Sequence, residues 1–152
     1  MTVKAIPQGH HSLTPYLIVQ DGAAAIDFYQ RAFGAEVTLR MDMPGGSLAH
    51  AELKIGDSPL MLSEENPQWQ TQSPKTLGGT PLSLMLYLPD VDSAFAKAIA
   101  AGATELMPLK DQFYGDRSGT VLDPFGHQWT LGTHIEDVGH EELQRRMAAM
   151  FQ

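Results

Sequence analysis

Residues 14–30 read TPYLIVQDGAAAIDFYQ, and residues 83–99 read SLMLYLPDVDSAFAKAI. Each begins as an alternating apolar strand and reaches an Asp (Asp21, Asp90) suited to cap a helix. Each continues with large apolar residues, Ile26 and Phe95, at matching places. The offset between the two stretches is 69 residues, and it returns downstream, where AELKIGDSPLML (51–62) lines up with TVLDPFGHQWTL (120–131). Two copies at so long a period are not a solenoid. They predict a single domain, 1–152, built from two similar halves with a cleft where the halves meet.

The first repeat covers 13–64. Its spacing predicts a strand at 13–19, a helix at 22–33 stopped by Gly34, and strands at 36–42, 47–54 and 58–64. Pro44-Gly45-Gly46 and Gly56-Asp57 supply the turns between those strands. The second repeat, 82–133, keeps the order: strand 82–88, helix 91–101, Gly102, then strands near 104–109, 117–122 and 127–133. Residues 65–81 read as a polar linker and residues 1–12 as a solvated arm. A last helix at 137–151 carries Leu143, Met147 and Met150 along one stripe. The fold class is therefore α+β, two βαβββ modules and a C-terminal helix.

Composition narrows the partners. The formal net charge is −8 and no run of Lys or Arg occurs, which argues against nucleic acid and against anionic membrane surfaces. No apolar stretch is long enough to span a bilayer. The chain has no Cys, so disulfides, thiolate metal sites and a Cys nucleophile are excluded. MTVKAIPQGHHS at the start lacks the apolar core of a signal peptide, so the expected location is cytoplasmic.

AIDFYQRAFGAEV after the first strand and LDPFGHQW near the end of the second repeat resemble the vicinal oxygen chelate superfamily. This is the group of glyoxalase I, bleomycin-resistance proteins and extradiol dioxygenases. HAELKIGDSPLMLSEE (50–65) and YGDRSGTVLDPFGHQW (114–129) are most similar to its PhnB-like branch. The resemblance implies that the sheets curl into a cup with the helices outside, a small molecule in the cup, and a homodimer. It also implies a divalent metal, with one ligand on the first and one on the last strand of each half. The positions carried over are Thr14, Met61, Ser83 and Thr130, and both pairs obey the offset of 69. None is a His or a carboxylate, so no metal or other cofactor is expected at the family's positions.

Strand alternation extends the resemblance into a lining. With Thr14 and Ser83 in the cup, Tyr16, Met85 and Tyr87 join them. A two-residue turn at Gly56-Asp57 sets Ile55 opposite Ser58 and Glu52 opposite Met61, which brings His50, Glu52 and Ser63 onto the same face. Carried to the second half, that registration sets Val121 opposite Thr130, and it turns Arg117 inward. The expected ligand-binding residues are Thr14, Tyr16, His50, Glu52, Met61, Ser63, Ser83, Met85, Tyr87, Arg117 and Thr130.

Of these, His50, Glu52 and Arg117 are the catalytic candidates. His50 and Glu52 lie two apart on a strand and project together. They read as a hydrogen-bonded pair, an acid/base or substrate-binding pair, or two ligands of a displaced metal. Arg117 reads as a clamp for a carboxylate, phosphate or phosphonate, or as a partner of Asp116 or Glu52. His10 and His11 fall in the solvated arm, and His127, His134 and His140 read as structural or surface residues. Trp69 is a lid or a core anchor, and Trp129, opposite Leu122, is core. The leading expectation is a small-molecule-binding protein without the usual metal. The alternatives are a metal-dependent lyase, isomerase or dioxygenase, and a structural or regulatory dimer.

Overall fold

A computed structural model describes residues 2–152. The first module runs β1 (Tyr16–Val19), α1 (Gly22–Phe33), β2 (Glu36–Asp42), β3 (Leu48–Ile55) and β4 (Ser58–Glu64). A 3₁₀ turn (Pro67–Trp69) and the short α2 (Pro74–Leu77) lead into the second module. There β5 (Ser83–Tyr87), α3 (Val91–Ala101), β6 (Thr104–Asp111), β7 (Asp116–Leu122) and β8 (Gln128–His134) repeat the order, and α4 (His140–Met150) closes the chain. Each module forms its own four-stranded mixed sheet, in the orders β1-β4-β3-β2 and β5-β8-β7-β6. The expected α+β architecture of two βαβββ modules and a C-terminal helix is the observed one.

The repeat has a structural counterpart at each helix start. Asp21 caps α1 by accepting from the Ala24 amide, and Asp90 caps α3 by accepting from the Ser93 amide. Behind them, Glu64 accepts from the Gly22 amide and Thr133 accepts from the Val91 amide, again 69 residues apart. The parallel pairs keep the offset too: Tyr16 lies beside Met61, and Met85 beside Thr130.

Alternation sends Leu17, Val19, Ala51, Leu53, Leu60 and Leu62 of the first sheet toward the helices, all buried. Val121, Trp129 and Leu131 do the same in the second. α1 and α3 join the two halves in one core. Phe33 and Tyr29 of α1 pack on Trp129 of β8, with ring centroids 4.8 and 5.5 Å apart. Trp129 is core, as its pattern requires. Asp123 fastens the junction: one carboxylate oxygen accepts from the Tyr29 hydroxyl and the Trp129 indole, the other from the Phe125 and His127 amides. Burial first, and then the Asp123 carboxylate, hold the Tyr29 phenol well above its ordinary range, so it remains a donor. His127 donates from Nε2 to the Ile18 carbonyl on the open edge of β1, a structural role.

The registration of the second hairpin needs correction. β3 and β4 turn through Gly56-Asp57, and Glu52 faces Met61 as expected. β7 and β8 turn instead through three residues, Pro124-Phe125-Gly126. Asp123 and His127 pair through backbone (2.8 Å), and Gly126 takes φ +93°. A three-residue loop of this kind shifts the register by one residue relative to a two-residue turn. Thr120 therefore faces Thr130, Val121 faces Trp129 and Gly119 faces Leu131. A slip of one inverts every side chain on the strand. Gly119 and Arg117 consequently point toward α3, and Asp116, Ser118 and Thr120 take the other face.

Candidate functional site

The faces that turn away from the helices carry the polar chemistry. In the first module, Tyr16 and Ile18 of β1, Met61 and Ser63 of β4, and His50 and Glu52 of β3 share this face. A β-bulge after Val37 brings Leu39 opposite Glu52 and Met41 opposite His50. In the second module the face is made by Ser83, Met85 and Tyr87 of β5, Thr130 and His134 of β8, and Asp116, Ser118 and Thr120 of β7. Thr14 precedes β1 and is half-buried.

Four side chains of the first face form one network. The Nε2 atom of His50 lies 3.0 Å from Glu52 Oε2, and the Tyr16 hydroxyl lies 2.8 Å from His50 Nδ1. A carboxylate oxygen can only accept, so Nε2 donates to Glu52, and in the neutral ring Nδ1 is then the acceptor for the phenol. The other oxygen of Glu52 is 3.0 Å from Nε2 of His10. The arm is therefore not free at this point: it returns His10 to the sheet, correcting the expectation of a solvated residue. Tyr16 stays half-exposed, while the carboxylate behind it is largely covered.

The second face carries a different network. Asp116, 3% exposed, accepts from the Tyr87 hydroxyl (2.7 Å) and from Nδ1 of His134 (2.8 Å). The second ring nitrogen of His134 faces Asp137 at 2.7 Å. With a carboxylate at each nitrogen both must donate. The bond to Asp116, then that to Asp137, raises the imidazole above its ordinary range. The bond to Asp116 likewise raises the Tyr87 phenol. In the sequence, His134 reads only as a structural or surface residue and Asp116 only as a candidate partner of Arg117; the three-residue turn Pro124-Phe125-Gly126 is what puts Asp116 on this face.

Arg117 belongs to neither network. Its guanidinium binds Asp92 of α3 at 2.9 Å and Asp111 of β6 at 3.1 Å. The expectation that it turns inward is corrected by the register of β7. Trp69 is half-exposed on its 3₁₀ turn and covers no core.

The four positions carried over for a metal present three hydroxyls and a thioether, a donor set that does not fit a divalent ion. Among the described residues, no three His, Asp or Glu side chains are grouped as metal ligands would be. A cavity of about 170 Å³ lies between the two sheets, lined by Leu13, Pro15, Leu60, Leu84, Met85 and Trp129. Its lining is mostly apolar, with His11 and Ser58 as the polar members, and it includes no residue of either polar network.

The chain matches the Glyoxalase/Bleomycin resistance protein/Dioxygenase superfamily over residues 9–131. It is 44% identical over 141 residues to the uncharacterized protein Mb0911c of Mycobacterium bovis, an alignment covering 91% of this chain and 93% of that one. The fold is similar to that of TioX from Micromonospora sp. ML1, with a TM-score of 0.66, 29% identity, and coverage of 82% of this chain and 99% of TioX. A PhnB protein from Bacillus cereus shares the fold at a TM-score of 0.61 and 22% identity, covering 81% of this chain and 99% of that one. Two βαβββ modules, the matched residues and these likenesses agree: the chain belongs to the glyoxalase/bleomycin resistance protein/dioxygenase superfamily, that is, to the vicinal oxygen chelate group.

Proposed function

We infer that this protein binds a small organic molecule against the helix-free faces of its sheets, without the metal that the superfamily commonly uses. One observation carries the reading. Tyr16, His50 and Glu52 are hydrogen-bonded in a defined order on a partly open face, where a structural network would more economically be buried. Leu39, Met41 and Met61 on the same face supply apolar contact area. In the second module, Ser83, Met85, Tyr87 and Thr130 supply the other half of the lining. Thr14 and Ser63 stand at the margins of the first half.

On these faces a single chain leaves Tyr16, Leu39, Met41, Met85, Tyr87 and Met107 as exposed apolar residues. A homodimer that sets one such face against another would close the cleft and cover this surface. The acidic charge disfavours nucleic acid, and no described helix is long and apolar enough to cross a membrane. A cytoplasmic location fits a chain with no Cys.

Native mass spectrometry of untagged protein tests the reading. The expected spectrum is a dimer that carries a co-purified organic ligand and substoichiometric metal. One tightly held metal per chain, lost in Glu52→Ala, would instead favour a metal-dependent enzyme. A strict monomer with no ligand would leave the cleft without its proposed role.

A further inference from the structure

The two modules each expose a tyrosine on the helix-free face, and the groups behind them differ. Tyr87 donates to the Asp116 carboxylate, and the neighbouring His134 has both nitrogens engaged by carboxylates. The acceptor for the Tyr87 proton is Oδ2 of a carboxylate whose Oδ1 accepts from His134, so no free imidazole nitrogen stands behind this phenol. The Tyr16 hydroxyl instead lies 2.8 Å from Nδ1 of His50, which in the neutral ring is bare and accepts the phenol proton while Nε2–H is held by Glu52. Hydroxyl, imidazole and carboxylate stand in the order that lets a proton leave the hydroxyl and be stabilised on the ring. Glu52 has no free oxygen for a ligand, because His10 takes the second one. It is a positioning residue. Tyr16, half-exposed, is the most open member of the network and the one best placed to meet a ligand.

We propose that Tyr16, His50 and Glu52 form a metal-free proton relay that ionises a bound weak acid, a C–H or O–H conjugated to a carbonyl or an aromatic ring. The inference rests on the small-molecule reading above. As the ligand proton passes to the Tyr16 oxygen, the Tyr16 proton passes to His50 Nδ1. The bound ligand becomes an enolate or phenolate, and the protein holds one additional proton, on an imidazolium paired with Glu52. Nothing is oxidised or reduced, and no co-reactant is needed. The phenol O–H regenerated on Tyr16 then donates a hydrogen bond to the anion it has produced. Met61, which is beside Tyr16 on β4 and opposite Glu52, and Leu39 and Met41 on β2 give this position the apolar shoulders that a flat conjugated ligand would contact.

Nitrophenols of graded acidity serve as probes, because the neutral and ionised forms absorb at different wavelengths. Wild-type protein is expected to bind them with a larger ionised fraction than in free solution at the same pH. Tyr16→Phe should lower the bound ionised-to-neutral ratio about tenfold or more, since a hydrogen bond to a charged oxygen is lost. Glu52→Gln should lower it by less while leaving thermal unfolding near wild type, an effect a purely structural residue would not have on the spectrum. ¹⁵N NMR of His50 gives a second readout. Protonation at Nε2 alone is expected in the free protein, and at both nitrogens once the nitrophenol is saturating. Nitrophenols that bind but stay neutral, or a His50 ring that stays singly protonated in the complex, would overturn the relay and leave small-molecule binding standing. Failure of every nitrophenol to bind would overturn it as well, and the co-purified ligand in native mass spectrometry would then judge the broader reading separately.

Discussion

The β3–β4 hairpin turns through two residues and the β7–β8 hairpin through three, and that single extra residue separates the chemistry of the modules. Both modules keep the strand order, the helix caps and the offset of 69 along β1, β4, β5 and β8. Across β3 and β7 the offset becomes 68, because Glu52 faces Met61 while Thr120 faces Thr130. The first module thus keeps His50 and Glu52 on the open face. The second turns Arg117 to the helix side and presents Asp116 in its place. Divergence between the halves did not require new strands; a change of turn length moved a whole strand's worth of side chains to the other face.

The largest expected effect comes from the turn itself. Asp57, in the two-residue turn, is exposed and bonds only Ser58, whereas Asp123 satisfies four donors at the buried junction. Asp123→Ala should destabilise by about 3–5 kcal/mol in urea unfolding, because several buried donors lose their acceptor. Asp57→Ala should stay within about 0.5 kcal/mol. Equal effects would break the contrast between the turns.

A second contrast lies at Ala51 and Gly119, which face Leu62 and Leu131 at equivalent places in the two sheets. Ala51 is fully buried against its helix. A Cβ on Gly119 would sit 2.8 Å from Phe95 Cε2 and 3.0 Å from backbone atoms of Met107 and Leu109. Gly119→Ala should therefore cost about 1–3 kcal/mol by overpacking, measured by the same unfolding assay. A neutral result would place Gly119 on the open face and reinstate the two-residue registration.

Glu65 and His134, again 69 apart, should respond to pH with opposite sign. Hydrogen bonds from Ser73 and then Thr76 hold the Glu65 carboxyl below its ordinary range. Its contribution is present above the unfolded pKa of about 4.3 and is lost as pH falls through the lowered folded value. His134 is raised, so its contribution is full below about pH 6.5 and fades as pH rises through the folded value. The stability gap between wild type and Glu65→Gln should close on acidification, and the gap to His134→Gln should close as pH rises through the raised folded value. His134 is exposed and Glu65 only half-buried, so the shifts in melting temperature should be small and weakened by salt.

The smallest effect is expected at Arg117. Its ion pairs with Asp92 and Asp111 are solvent-facing, and Arg117→Ala should barely move the unfolding midpoint. Ligand retention in native mass spectrometry should be unchanged. Loss of ligand in this variant would mean that Arg117 reaches the cleft after all.

The sequence by itself determined the elements and their order. Asp21 and Asp90 marked helix starts, α1 and α3 fell where the 3.6-residue pattern put them, and β4 matched its expected span residue for residue. Local rules suffice there, since caps, turns and alternation depend on neighbours in the chain. The same rules placed Tyr16, His50, Glu52 and Met61 on one face, because a two-residue turn fixes register without reference to the rest of the fold. Only the tertiary structure decided the rest. It brought His10 back across the sheet to Glu52, joined Tyr29 to Asp123 from the opposite module, and set His134 between Asp116 and Asp137. Contacts spanning 42 or 94 residues leave no periodic mark in the chain, because what selects them is burial and the need of each polar atom for a partner in the folded state.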